Sequence, residues 1–283
     1  MGALFGPAGN SKSFFEMGYK GSLHVPEYVQ KMGLDAFEYQ CGRGVNIGEE
    51  KARELGALAV EKGITLSLHA PYYISMSSVE EQKRLNSINY ITASANAVNA
   101  MGGNRIVVHT GSCGKISRET ALELAIDTMK LALDALDNLN LRHIHICPET
   151  MGKVNQLGTL DEVLELCKLD ERLIPCIDFG HLNARDLGYF KTKADYKTVF
   201  DKIENALGLD RLKNFHSHFS KIEYTTGGEK KHLTFADTVY GPDFEPVMDL
   251  VVQKNCNPIF ICESDGTQAE DAKLMKDYYN SLK

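Results

Sequence analysis

No two cysteines stand in a CxxC pair, and the seven present (Cys41, Cys113, Cys147, Cys167, Cys176, Cys256 and Cys262) are odd in number. Neither a disulfide framework nor a zinc ribbon is indicated. Several of these thiols sit inside apolar runs, where free buried cysteine is common. Nowhere do about 18 consecutive apolar residues occur to make a membrane span, and the N-terminal MGALFGPAGNSKSF has no basic region ahead of a long apolar run. A cytoplasmic protein is expected. Positive charge is in deficit: 31 Lys and Arg against 38 Asp and Glu leave a formal net charge of −7. That argues against nucleic-acid binding through a broad basic face, because nonspecific affinity comes mainly from neutralised phosphates. A small basic or metal-lined groove stays open, since bound divalent cations would offset a carboxylate-rich site locally. Glycine-rich phosphate fingerprints are missing as well: no GxGxxG follows the first strand-like run and no GxxxxGK[ST] occurs anywhere.

What is present is regular. The 283 residues are 43% hydrophobic and 24% charged, near the average for globular chains, and no linker divides them. One domain over residues 1–283 is expected. Eight short apolar or β-branched runs recur: GALFG (2–6), DAFEYQ (35–40), ITLSLHA (64–70), RIVVHT (105–110), HIHICPE (143–149), LIPCIDF (173–179), NFHSHFS (214–220) and PIFICES (258–264). Stretches of helical period lie between them. One predicts a helix opening on a Ser78–Glu81 capping box and closing at Gly102, and TLDEVLELC carries a second box from Thr159 to Glu162. A third, ETALELAIDTMKLALDALDNL from Glu119, has the broad apolar stripe of a helix packed on a sheet. Strand alternating with helix eight times predicts a parallel sheet, and the count and size fit a (β/α)8 TIM barrel better than an open doubly wound sheet.

Barrel active sites gather at the C-terminal ends of the strands, and polar residues recur there. The third run ends in His69, the fourth in His109, the fifth in Glu149, and the sixth in Asp178 with His181 just beyond. The seventh carries His216 and His218, and the eighth carries Glu263. Any one of these alone reads as a satisfied core histidine or a surface acid. Six consecutive strands aiming an imidazole or carboxylate at one place are a joint signal for metal chemistry. Histidine and carboxylate ligands without thiolates suit zinc, manganese or iron, and carboxylates bridge two ions held about 3.5–4 Å apart. A catalytic zinc usually takes three protein ligands, so this many candidates predict two or three ions, Zn2+ first and Mn2+ as the alternative.

On LHAPYYIS (68–75), VVHTGS (107–112), CPETMG (147–152), IDFGHLNA (177–184), a histidine of the seventh run and ICES (261–264), the sequence resembles the endonuclease IV family. These are metal-dependent apurinic/apyrimidinic endonucleases of DNA base-excision repair, within the xylose-isomerase-like barrel superfamily. The resemblance covers nearly the whole chain. It implies that His69, His109 and Glu149 hold one zinc, and that Glu149 bridges to a second held with Asp178, a strand-seven histidine and Glu263. His181 would bind a third with an aspartate and a histidine from the loop after strand seven. In this chain the loop reads TTGGEKKHL (225–233): His232 can stand for the histidine, but Lys230 takes the aspartate's place in the Asp-x-His pattern and Glu229 comes one residue early. Two outcomes are open, a shifted loop that brings Glu229 in, or a two-ion site where Lys230 supplies the charge. His216 and His218 share a strand face, and His218, nearer the C-terminal end, is favoured as the ligand.

The activity the resemblance implies is hydrolysis of the DNA backbone 5′ to an abasic site through a metal-bound hydroxide. Glu149, Asp178 and Glu263 form the implied catalytic set, the first two orienting the nucleophile, and the abasic sugar is flipped out of the duplex. Gln40, Arg43 and Tyr72 are candidates to fill the gap or touch phosphate. Abasic DNA is the partner, and no protein partner is implied.

A rival on the same barrel is a metal-dependent sugar isomerase or epimerase, which holds one divalent ion through four residues on strands five to eight. Glu149, Asp178, His218 and Glu263 fit it equally well, and an acidic residue on strand two, Glu38, favours it. In that reading Glu149 and Glu263 would move a proton beside a carbonyl. His69 and His109 discriminate, since only the nuclease needs both as ligands. A noncatalytic binding barrel would leave the whole set idle. Gly180, between Asp178 and His181, is expected to give the backbone room to bend.

Overall fold

The computed structural model describes residues 2–283. Its first half runs β1 (Leu4–Pro7), α1 (Lys12–Glu16), α2 (Val25–Lys31), β2 (Ala36–Gln40), α3 (Glu49–Lys62), β3 (Thr65–His69), α4 (Glu81–Ala100), β4 (Arg105–Val108) and α5 (Arg118–Asn138). Next come β5 (His145–Pro148), α6 (Leu160–Cys167), β6 (Cys176–Asp178), α7 (Phe179–Arg185), α8 (Lys193–Leu207), α9 (Leu209–Lys213) and β7 (His216–Phe219). A hairpin follows, β8 (Lys221–Thr225) and β9 (Gly228–Leu233), before α10 (Glu245–Gln253), β10 (Ile259–Cys262) and α11 (Gln268–Ser281).

Each of the eight apolar runs supplies a strand, the first ending one residue beyond its run at Pro7. They pair in parallel as β2-β3-β4-β5 and β6-β7-β10-β1, and the parallel bridges Ala8–Glu38 and Glu149–Cys176 join the two halves into a ring. This is the (β/α)8 TIM barrel that the alternation predicted. Strand side chains alternate in direction. One set, including Phe5, Leu68, Ile106, Ile146, Phe219 and Phe260, joins the main core with the helices. Each such fully buried side chain contributes about 1.5–3 kcal/mol relative to exposure. The alternate set points into the barrel, where it makes the small clusters Val107–Cys147–Ile174–Cys176 and Ala36–Ile259–Ile261. Polar residues of the same inward rows continue upward to the C-terminal rim.

Local chemistry explains where the helices begin. The Thr159 hydroxyl accepts from the Glu162 N–H, and Glu162 accepts from the Thr159 N–H, so α6 opens on the capping box its spacing predicted. For α4 the expectation is corrected. The helix starts at Glu81 behind Glu80, while Ser78 Oγ accepts from the Glu80 N–H at 3.2 Å, shaping the preceding turn as a short hydroxyl side chain readily does. The segment TTGGEKKHL, expected as a loop, supplies β9 instead. Its Glu and Lys residues are depleted in strands generally, which hides the pairing from sequence. Among the described residues no helix is long and apolar enough to cross a membrane.

Candidate metal centre

Parallel strands closed into a ring deliver one inward side chain each to the same rim. Glu149 is the hub. Its Oε2 lies 3.4 Å from His69 Nε2 and 3.2 Å from His109 Nε2. Its Oε1 lies 3.0 Å from His218 Nδ1 and 3.3 Å from His181 Nδ1, and His218 Nδ1 is also 3.5 Å from Glu263 Oε1. Five sets of donor atoms are close enough to share an ion: His69–His109–Glu149, Glu149–Asp178–His218–Glu263, His181–Glu229–His232, His69–His218–Glu263 and Cys176–His216–His218. Glu149 belongs to the first two.

Glu229 reaches the third set through a one-residue bulge. Tyr224 pairs with Glu229 and Glu223 with Lys231, which leaves Lys230 as the extra residue in the ladder. An acid and a histidine three residues apart would face opposite sides of a regular strand, and the extra residue returns them to one side. Glu229 Oε2 stands 3.4 Å from His181 Nε2, and its Oε1 stands 3.8 Å from His232 Nε2. Lys230 turns away, its ammonium 2.6 Å from Glu223 Oε1. The expectation that Lys230 supplies charge to the site is therefore corrected. Gly152 allows the hairpin to dock, because a Cβ there would meet Glu229 Cβ at 2.7 Å and His181 Cδ2 at 2.8 Å.

The donor set fits divalent ions. Glu149 Oε2 and Asp178 Oδ2 are buried without a hydrogen-bond partner, a condition that costs about 1–3 kcal/mol or more for a polar group and that a cation would relieve. The rings are set up in the same sense. His69 Nδ1 donates to the Ala70 carbonyl at 2.8 Å, His181 Nδ1 donates to the Thr150 carbonyl at 3.0 Å, and His232 Nδ1 is hydrogen-bonded to Ser220 Oγ at 2.9 Å. Engaging one nitrogen of an imidazole orients the other as a ligand. Burial alone would raise the Glu149 carboxyl, but the His218 charge and the close imidazoles of His109, His181 and His218 hold it well below the usual range. Burial would likewise lower His181, yet the Asp178 and Glu149 carboxylates raise it well above an ordinary imidazole. A cavity of about 400 Å³ opens over the cluster, lined among others by His69, Tyr72, Lys153, His181 and Glu263. An adjoining one of about 530 Å³ is lined by Gln40, Tyr72, Lys231, His232 and Ser264.

A barrel carrying this sequence matches the family model described as xylose isomerase-like TIM barrel over residues 26–281. The chain belongs to the xylose isomerase-like TIM barrel family. It is 33% identical over 275 residues to an uncharacterized protein of Methanocaldococcus jannaschii, covering 97% of this chain and 96% of that one. A Staphylococcus carnosus protein named Probable endonuclease 4 is 29% identical over 220 residues, which are 76% of this chain and 66% of the relative. A solved D-tagatose 3-epimerase-like protein shares the fold with a TM-score of 0.71 at 18% identity, over 99% of this chain and 97% of that one.

Other candidates take varied places in this xylose isomerase-like barrel. His216 lies below the rim, fully buried, with Nε2 3.0 Å from Glu38 Oε2, and makes no contact with Glu149 or Asp178. Glu38 itself faces His216, His218, Ser67 and Gln40 and lines neither cavity. The support it was expected to lend to a sugar-handling site is withdrawn. Tyr72 is 59% exposed at the mouth, its ring 5.6 Å from that of His69 and 5.5 Å from that of His109. Arg43 is exposed in the loop after β2 and lines neither cavity. Gly180 has helical backbone within α7, and its small size is needed because a Cβ would stand 2.5 Å from the Ser220 carbonyl. The bend expected at Gly180 is thus a close approach. The sequence reading passed over Ser220, Thr150 and Arg185. Arg185 donates to the carbonyls of Met151, Lys153, Val154 and Gln156, pinning the loop after β5 beside the cluster. No periodicity marks that role, which depends on a loop folding back.

Proposed function

We propose that the chain is a metal-dependent phosphodiesterase that cleaves the DNA backbone 5′ to abasic sites, with Zn2+ as the resident ion and Mn2+ as the alternative. One observation carries the reading: the two oxygens of Glu149 face separate histidine pairs, His69 with His109 and His218 with His181. A single-ion enzyme would leave His69, His109 and the His181–Glu229–His232 set idle. Two or three divalent ions held by these sets would supply a nucleophile at neutral pH and positive charge at both the attacking and the leaving oxygens of a phosphoryl displacement. Glu149 and Asp178, with their unpartnered buried oxygens, would orient the proton of the attacking group. Lys153 and Lys231 on the cavity walls favour an anionic backbone, and exposed Tyr72 offers a ring against which a flipped-out nucleotide or the gap it leaves can pack. The likeness to the Probable endonuclease 4 of Staphylococcus carnosus supports the substrate class.

Metal analysis of the purified protein paired with cleavage of an abasic-site duplex tests the proposal. Two or three ions per chain with incision 5′ to the abasic site, and none in the undamaged duplex, are expected. One ion, no incision and turnover of a ketose would overturn it in favour of a sugar isomerase or epimerase. That second reading draws on the Glu149–Asp178–His218–Glu263 set, which is complete in itself for one ion, and on the fold shared with the D-tagatose 3-epimerase-like protein. In it Glu149 and Glu263 would exchange a proton with a carbon beside a carbonyl.

A further inference from the structure

We infer that Glu38 is a positioning residue for the metal centre, one that turns the His218 ring so that Nδ1 is the nitrogen presented to the ion. Glu38 sits on β2 in the layer beneath the ligands and is fully buried. Its Oε1 lies 3.2 Å from Gln40 Nε2 and 2.9 Å from His218 Nε2. Its Oε2 lies 3.0 Å from Ser67 Oγ and 3.0 Å from His216 Nε2. A carboxylate has about four lone-pair sites; Gln40, Ser67 and His216 are hydrogen-bonded to this one, and His218 Nε2 closes the remaining side at 2.9 Å. None is left for a substrate, so Glu38 acts through His218 or not at all.

The other side of the same ring faces the rim, with Nδ1 3.0 Å from Glu149 Oε1 and 3.5 Å from Glu263 Oε1. Nε2 approaches Glu38 Oε1 at 2.9 Å without making a hydrogen bond, and Nδ1 is the nitrogen bonded to Glu149. An ion taking the Nδ1 lone pair removes that bond. His69, His181 and His232 are oriented by a carbonyl or a hydroxyl, whereas His218 is backed by a charged carboxylate. Such a partner both fixes the ring and strengthens its ligating nitrogen, and its loss typically costs 10–100-fold, roughly, in metal affinity. The inference rests on the centre holding divalent ions, which both functional readings share, and not on the substrate.

Two measurements test it without any assay of turnover. In Co2+ titrations followed by visible absorption, Glu38→Ala should weaken the His218-containing site about 10–100-fold and alter its spectrum, with Glu38→Gln intermediate. Wild-type affinity and an unchanged spectrum in Glu38→Ala overturn the inference. Because an emptied buried site endangers folding, the wild-type protein loaded with 113Cd2+ provides an independent readout. Nitrogen-15 spectra should show cadmium coupled to Nδ1 of His218 and a proton on Nε2, and cadmium coupled to Nε2 overturns it. Failure to cleave abasic DNA leaves both measurements intact.

Discussion

The two ends of the barrel interior hold similar side chains and treat them differently. At the N-terminal ends of the strands, Arg105 on β4 donates to the carbonyls of Asn214 and Phe215, and His145 at the start of β5 meets the carbonyl of Arg172. Arg172 in turn pairs with Asp137 and Asp170. At the C-terminal ends, Glu149 Oε2 and Asp178 Oδ2 converge on the same space with no hydrogen-bond partner. Saturated polar groups at the foot of a barrel serve stability, and converging unsatisfied acceptors at its mouth call for a ligand. Histidine and charge occur at both ends. What separates them is the hydrogen bonds left unmade.

Glu149 is where the contrast breaks most heavily. Glu149→Ala should remove at least two ions by metal analysis and lower turnover by at least about 100-fold, and retention of full metal content would deny its bridging place. Glu229→Ala should remove one ion and leave the others. Deleting either Lys230 or Lys231 should leave the metal content unchanged, since the resulting Glu-Lys-His spacing keeps both ligands on one strand face without a bulge. Loss of an ion on that deletion would show that the bend of the bulge is needed as well as its parity.

A smaller effect belongs to the layer between the two ends. Burial pushes the His216 imidazole down to about 4 in spite of the hydrogen bond to Glu38, against about 6.5 in an unfolded chain. Between about pH 6.5 and 4 the unfolded chain takes a proton that the folded one refuses, so stability falls as the pH drops, by about 3 kcal/mol from this group. Above about pH 6.5 both states carry a neutral ring and this slope vanishes. Urea unfolding across that window should give a flatter profile in His216→Gln, and an identical slope would refute the assignment. Last comes the saturated foot. Arg105→Ala should cost about 1–3 kcal/mol of stability through its two stranded carbonyls while metal content stays at the wild-type level, and loss of ions there would erase the distinction between the ends.

Much of the architecture was legible because its signals are local. Apolar runs and helical periods need only neighbours along the chain, and strand-end residues such as His69, His109 and Glu149 could be read from where each run stops. Glu229 was harder. Its face depends on a register shift set by the partner strand, and a strand reading GEKKHL carries little β signal of its own. Glu38 was misread for a related reason: an acid on strand two looks the same in sequence whether it faces a cavity or the buried Ser67, His216 and His218 beneath one.

By itself, then, the sequence determined the barrel, the rim to which its candidate ligands are delivered, and the position of His218 nearer that rim than His216 on one strand. Only the tertiary structure decided which atom meets which. Glu38 and His216 touch across 178 positions of chain, and that contact, like the sharing of Glu149 between two histidine pairs, exists only once the ring has closed. Side-chain direction is a property of a single strand, whereas distance between side chains on opposite strands is set by the closure of all eight.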